Sequence, residues 1–382
     1  MEEKILFEKN QGIKARIIHK IKGKRIYISF DRPSIKFENL KELIYTVNQI
    51  QSVYKNIKIP ITLDLKNVKM ADKLTMIMIE AICNYVISEC KRPLKVELND
   101  KTDAITCSMN SSILWILQDE DREHIEKFQR KYERDLWKNH YRRIISGEDS
   151  SSSSIVSDVA SEVDSFLKPF SISEDAAIEV GELVSELLSN VKEHTDSSCI
   201  IDIDITPSKY TKIGEMNDNR YYGINIAVVN FSELLLNSGL KSLFLTKNPD
   251  ELDGRYKKVM QAYKYHKRFF DNDYTEEDFF NFVAFQNKIS GREIIESTGG
   301  TGLTQIIKSL EKRADNHLCY VVSGDRRIGL LPEYLKYNDG WIGFNEENDF
   351  FTNIPSSDVY NITNFYMPGT AFNINLVMKK EK

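Results

Sequence analysis

The chain has 382 residues, 41% of them hydrophobic and 29% charged, which excludes wholesale disorder and suits two to three domains. Its net charge is −5, yet residues 1–60 hold thirteen Lys/Arg against six Asp/Glu, so a basic front end precedes an acidic body. Five scattered cysteines with no CxxC pair argue against a zinc site or a disulfide framework and suit reduced thiols.

The opening, MEEKILFEKN, lacks the basic and then apolar pattern of an export signal. No apolar run approaches the roughly 18 residues of a spanning helix, so a cytoplasmic protein with no membrane partner is expected. Strand and helix then alternate. Arg25–Phe30 reads as a strand, Leu40–Val53 as a helix, Ile59–Leu65 as a strand, Leu74–Ile87 as an apolar helix and Pro93–Leu98 as a strand. That alternation predicts an α/β layer architecture.

This order is similar to a STAS domain, the fold of anti-sigma-factor antagonists, over roughly residues 12–118. The segment LDLKNVKMADKLTM, 63–76, matches the family's strand–loop–helix, in which an Asp-Ser-Ser-Gly-Leu run opens the helix. Asp64 and Asp72 fall on its Asp positions, Lys73 and Leu74 on its two serines, and Thr75 on its glycine. The phosphoacceptor serine is therefore missing, and Thr75 offers a hydroxyl one place away.

Residues 120–145 are rich in charge with interspersed aromatics and read as a long bridging helix. The run GEDSSSSS, 147–154, has no core to join and reads as a flexible connector, giving a helical and Ser-rich linker over 119–154.

Beyond it, a helix is expected from Ser173 to His194, with Ile178, Val180, Leu183, Val184, Leu187, Leu188 and Val191 as its apolar stripe. Glu182, Glu186, Asn190 and His194 recur every four residues on one side. Strands follow at 199–205, 222–230 and 318–323. The run STGGTGL, 297–303, enters a helix over 304–312. Glycines before a helix let backbone N–H groups approach an anion, and the helix dipole favours it. Pro368-Gly369-Thr370 leads a final alternating strand, Phe372, Ile374, Leu376 and Met378.

Together these motifs resemble the GHKL ATPases, the superfamily of gyrase and the histidine kinases, over roughly residues 155–380. The resemblance implies a two-layer α/β sandwich, α+β in class, that binds ATP and magnesium. Glu186 and Asn190 match the family's Glu-x-x-x-Asn, implying a general base and the Mg²⁺ ligand; His194 matches the His that closes this box in kinases. Gly299, Gly300, Thr301, Gly302 and Leu303 match the second glycine box, around the triphosphate. Thr370 matches the threonine beside adenine. The first glycine box departs: Asn230 stands where the family has Asp, and both following glycines are absent. An Asn carbonyl can still accept the adenine hydrogen bond, uncharged. Glu193 stands where kinases carry a phosphate-facing Lys, for which Lys192 and Lys308 are the candidate substitutes.

Residues 231–298 read as a large lid insertion, whose aromatic run 256–285 is expected to build a small core and whose cations form a solvated face. No role is assigned to 325–361. The expected function is a nucleotide-driven switch or ATPase that regulates an effector protein through the STAS-like domain, with a homodimer implied by the resemblance. The alternatives are an anti-sigma-type Ser/Thr kinase, or a noncatalytic nucleotide-binding regulator in a bacterial stress or anti-phage system. Nucleic acid is not the expected partner.

Overall fold

A computed structural model describes residues 2–99, 112–147, 154–194, 197–210, 221–247, 252, 254–290, 302–314 and 319–381. The fold is α+β, with two main sheets and helices between and outside them. Among the described residues, no helix is long and apolar enough to cross a membrane.

The N-terminal unit starts with α1 (Glu3–Lys9), then a hairpin of β1 (His19–Lys22) and β2 (Arg25–Ser29). α2 (Leu40–Val53) and α3 (Lys73–Ser88) are the crossovers that bring β4 (Ile61–Asp64) and β6 (Leu94–Glu97) parallel to β2, giving the order β1-β2-β4-β6. Short β3 (Ser34–Ile35) and β5 (Lys69–Met70) pair separately. The five strand and helix expectations for this unit agree to within two residues. The apolar helix is telling: α3 buries fourteen of its sixteen residues, so it has no solvent face. A helix apolar all round needs a layer on each side.

That second layer is a six-stranded antiparallel sheet, ordered β11-β12-β10-β9-β8-β7. It comprises β7 (Arg134–Trp137), β8 (His140–Ile145), β9 (Cys199–Tyr210), β10 (Tyr221–Asn230), β11 (Tyr320–Gly329) and β12 (Tyr360–Lys379). Its strands alternate by face. Ile201, Ile203, Ile224, Ile226, Ile374 and Leu376 join the core of one face with α5 (Ile155–Leu167), α6 (Glu174–His194) and α10 (Gly302–Arg313). Ile200, Ala227, Val229, Val322 and Ala371 join the core of the N-terminal unit on the other face. Period-2 alternation thus covers both faces of one sheet with helices.

The expected long helix over 120–145 is corrected. α4 (Arg122–Glu133) is capped by Asp121, which accepts from the His124 N–H at 3.0 Å, and it ends where Arg134 turns extended. Residues 134–145 instead form the β7–β8 hairpin, turned at Lys138 with φ +34°. Backbone pairing of β8 with β9, and burial of Tyr141 and Ile145, outweigh the helical look of a charged stretch. The residues assigned to a linker therefore supply two strands of the large sheet. The serines 148–153 lie outside the described residues.

Residues 231–290 form α7 (Ser238–Thr246), α8 (Gly254–His266) and α9 (Glu276–Val283). Their Tyr256, Tyr274, Phe279, Phe280, Phe282 and Phe285 are buried, so the aromatic run does build a core. That core is continuous with the helical face of the sheet and recruits Trp341, Phe344 and Phe350 from the segment that had no assigned role. Buried His266 stitches it, with Nδ1 2.6 Å from the Tyr274 hydroxyl and Nε2 2.9 Å from the Phe350 carbonyl. Arg326 of β11 ties it to the sheet through Asp278, donating from Nε at 2.7 Å.

Candidate functional site

Ser173 precedes α6, and its hydroxyl accepts from the Ala176 N–H of the first turn at 3.2 Å. Val180, Leu183, Val184, Leu187 and Leu188 seal its inner face, which fixes the direction of the polar row beside them. Glu182 is exposed and accepts from Gln305 Nε2 of α10 at 3.2 Å, so the row faces that helix. Glu186 and Asn190 are half-buried one and two turns further on. Asn190 Nδ2 is sealed from solvent and meets no acceptor among the described residues. A sealed, unsatisfied amide is costly, and rotation about its last bond exchanges Nδ2 for Oδ1. His194 closes α6, and its side chain lies outside the described residues, as does that of Lys192.

α10 is pinned along α6 by Arg313 Nε, 2.7 Å from Glu179 Oε2. Gly302 is its first residue, and Leu303 packs half-buried against the core. Thr304 Oγ1 reaches Asn287 Oδ1 at 3.4 Å. Gly299, Gly300 and Thr301 lie outside the described residues. A cleft of about 320 Å³ runs between the two helices, lined by Asp175, Glu179 and Glu182 opposite Gln305, Lys308 and Lys312. It is N-terminal to Glu186 along α6, and Lys308 belongs to it.

At the end of the sheet, Asn230 closes β10 and stands in register with Cys199 of β9 and Thr370 of β12. Its Nδ2 donates to Ser197 Oγ at 2.5 Å and to the Ser198 carbonyl at 3.2 Å, immediately beyond α6. Gly369 has φ +78°, and a Cβ there would lie 2.2 Å from the Asn230 carbonyl oxygen and 2.8 Å from the Ser232 nitrogen. Only glycine fits both the angle and the approach. Ser323 of β11 donates to the Gly369 carbonyl at 2.7 Å and accepts from the Leu236 N–H at 2.9 Å, with Thr370 Oγ1 3.4 Å away. The end of β10, the start of β9, the interiors of β11 and β12 and the segment leaving α6 are thus laced at one place; β12 already begins at Tyr360, so Gly369 and Thr370 sit within the last strand rather than leading it. Sequence reasoning named Asn230 and Thr370 but missed Ser197 and Ser323, which carry no motif.

The other polar concentration was not anticipated. It lies between α3 and the back of the sheet, where Lys73 Nζ is 2.5 Å from Asp202 Oδ1 and 2.8 Å from Asp204 Oδ2. Arg142 bridges Asp202, at 2.5 Å from Nε, and Glu80 of α3. His140 lies between Asp202 and Asp135, 3.0 Å from each. Asn225 Nδ2 donates to Asp204 at 2.9 Å, and Asn375 Nδ2 to Asn225 Oδ1 at 2.5 Å. Burial pushes the Asp202 carboxyl up, but the charges of Arg142, Lys73 and His140 outweigh it and hold Asp202 well below the usual carboxylate range. The start of α3 is locked into this seam. Asp72 caps it by accepting from the Thr75 N–H and hydroxyl, both at 2.8 Å, and Asn373 Oδ1 accepts from the Leu74 N–H at 2.9 Å. Thr75 is fully buried there.

Among the described residues, no group of three or more His, Cys, Asp or Glu is placed to hold a metal. Comparison with family models, with curated proteins and with solved structures gives no match.

Proposed function

We propose that the chain is a Mg-ATP-binding protein of the GHKL type, whose nucleotide site lies at the sheet end between α6, α10 and β12. The observation that carries this reading is the register of Asn230 with Thr370, held by Gly369 against the Asn230 backbone. It sets side by side the two side chains that the resemblance assigns to the base. The Nδ2 contacts to Ser197 and Ser198 orient the Asn230 amide.

The orphaned amide of Asn190 suits a ligand oxygen or cation, so the residues present fit magnesium on that side of the site. Mg²⁺ would neutralise phosphate charge there. Glu186, one turn earlier on the same face, would orient and polarise a water or hydroxyl nucleophile, an effect of about 10²–10⁴ in rate. α10 begins at the glycine run, and its first N–H groups would face the phosphates.

The N-terminal unit, a hairpin followed by two parallel crossovers, supports a STAS-like regulatory module. Its phosphorylatable end is buried against the sheet, which favours a fixed conformational relay over a phosphorylation switch.

Equilibrium binding of labelled ATP tests the reading. Saturable binding that is lost on removing magnesium, and weakened at least tenfold in Asn190→Ala but not in Glu186→Ala, supports it. Binding unaffected by magnesium and by Asn190→Ala overturns it.

A further inference from the structure

The segment from Gly254 to Phe270 contains six Lys/Arg and no Asp or Glu. α8 buries Tyr256, Val259, Ala262 and His266, which turns Lys257, Lys258 and Lys264 outward. The helical turn Lys267–Phe269 continues it and exposes Lys267 and Arg268. None of these five cations pairs with a carboxylate among the described residues. They form a track of about 16 Å at the helical rise.

Aromatic planes stand at one end of the track. Phe269 is 43% exposed, with its ring centroid 5.2 Å from that of half-buried Tyr265. The Arg268 guanidinium lies 4.2 Å from the Tyr265 ring centroid and 5.7 Å from that of Phe269, and its Nε donates to the Tyr265 carbonyl. Arg255 anchors the other end, 4.0 Å over the Trp341 ring and 2.7 Å from the Gly340 carbonyl.

We infer that this face binds single-stranded nucleic acid, independently of whether the sheet end binds nucleotide. Lys257, Lys258, Lys264 and Lys267 meet phosphates, and the Tyr265–Arg268–Phe269 platform stacks an unpaired base. The combination of a cationic track with exposed planes is what sequence-tolerant single-strand binding requires. A duplex offers phosphates but no free base face for Phe269. A membrane would need a row of exposed large apolar residues along the helix, and those of α8 are spent on the core. Of the acids that flank the track, Asp271 and Asp273 follow it, and Asp271 Oδ1 is turned to its own loop, accepting from the Asp273 and Tyr274 N–H groups at 2.8 Å.

The test is fluorescence anisotropy of a labelled single-stranded RNA and DNA of about 20 nucleotides, with full-length protein and no ATP, between about 50 and 200 mM salt. Four phosphate contacts predict that log affinity falls with log salt at a slope of about −3. Replacing Lys264, Lys267 and Arg268 together by Ala removes exposed groups and leaves the fold's circular dichroism unchanged. It should cut affinity by about tenfold or more and bring the slope to about −1. Phe269→Ala should weaken binding roughly tenfold with the slope unchanged. Asn190→Ala should bind as the wild type does, which separates this face from the nucleotide reading. Absence of binding at low salt, full affinity in the triple variant, or tighter binding to phosphatidylserine vesicles or duplex than to single strands would each overturn the inference.

Discussion

Lys73 and Asp202 meet where neither reaches solvent, the Lys73 ammonium of α3 standing 2.5 Å from Asp202 Oδ1 of β9. Removing one member of such a pair leaves a sealed, uncompensated charge, a cost of about 3–5 kcal/mol. Lys73→Met should therefore lower the thermal midpoint by many degrees. Lys73→Met combined with Asp204→Asn should recover part of that loss, because one excess carboxylate is gone. Equal midpoints for wild type and Lys73→Met would show that the N-terminal unit does not rest on this seam.

The same seam sets a pH dependence. Burial alone pushes the His140 imidazole down, but Asp202 and Asp135 outweigh it and hold its pKa above the ordinary value. The positive charges of Lys73 and Arg142, and Lys131 beside Asp135, complete the surroundings. A pKa raised on folding gives stability that is complete below the unfolded value, about 6.5, and is lost as pH rises through the folded value. The wild type should thus lose stability as pH rises above about 6.5 more steeply than His140→Gln. Urea midpoints across that range give the comparison, and parallel curves for the two proteins would refute it.

Gly369 predicts a local lesion. Gly369→Ala combines a left-handed φ with a Cβ 2.2 Å from the Asn230 carbonyl oxygen. The backbone penalty alone is about 1–2 kcal/mol, and the clash must also push β12 away from β10. We expect a lower thermal midpoint together with loss of ATP binding out of proportion to the loss of fold. Ser323→Ala, which removes the brace on the Gly369 carbonyl, should act in the same direction by about 1 kcal/mol. Unchanged ATP affinity in both folded variants would place the base elsewhere.

Much of the sheet and of α6 was legible because the signal is local. Val180, Leu183, Val184 and Leu187 repeat at helical spacing, and Phe372, Ile374, Leu376 and Met378 at strand spacing. The β7–β8 hairpin was not legible, since its stability comes from β9, more than fifty residues later. Nor was the seam. Asp202 and Asp204 alternate with Ile201, Ile203 and Ile205, which reads as a strand with a solvated face. What covers that face is α3, contributed from 130 residues earlier. The one available signal was α3 itself, which has almost no polar side and so required a layer on both sides. At the candidate site, motif residues such as Asn190 and Thr370 were legible, whereas Ser197 and Ser323 act through positions that only the fold brings together.

Thermal unfolding with and without Mg-ATP, for the wild type and for Asn190→Ala, decides whether the chain binds nucleotide at this site. Ligand at about 100 times its dissociation constant should stabilise the protein by about 2.7 kcal/mol, a rise of several degrees. A magnesium-dependent rise in the wild type should disappear in Asn190→Ala while the ligand-free midpoints stay close. No rise with any nucleotide in the folded wild type would contradict it, and the sheet end would then be a scaffold that holds Asn230 and Thr370 together without a ligand.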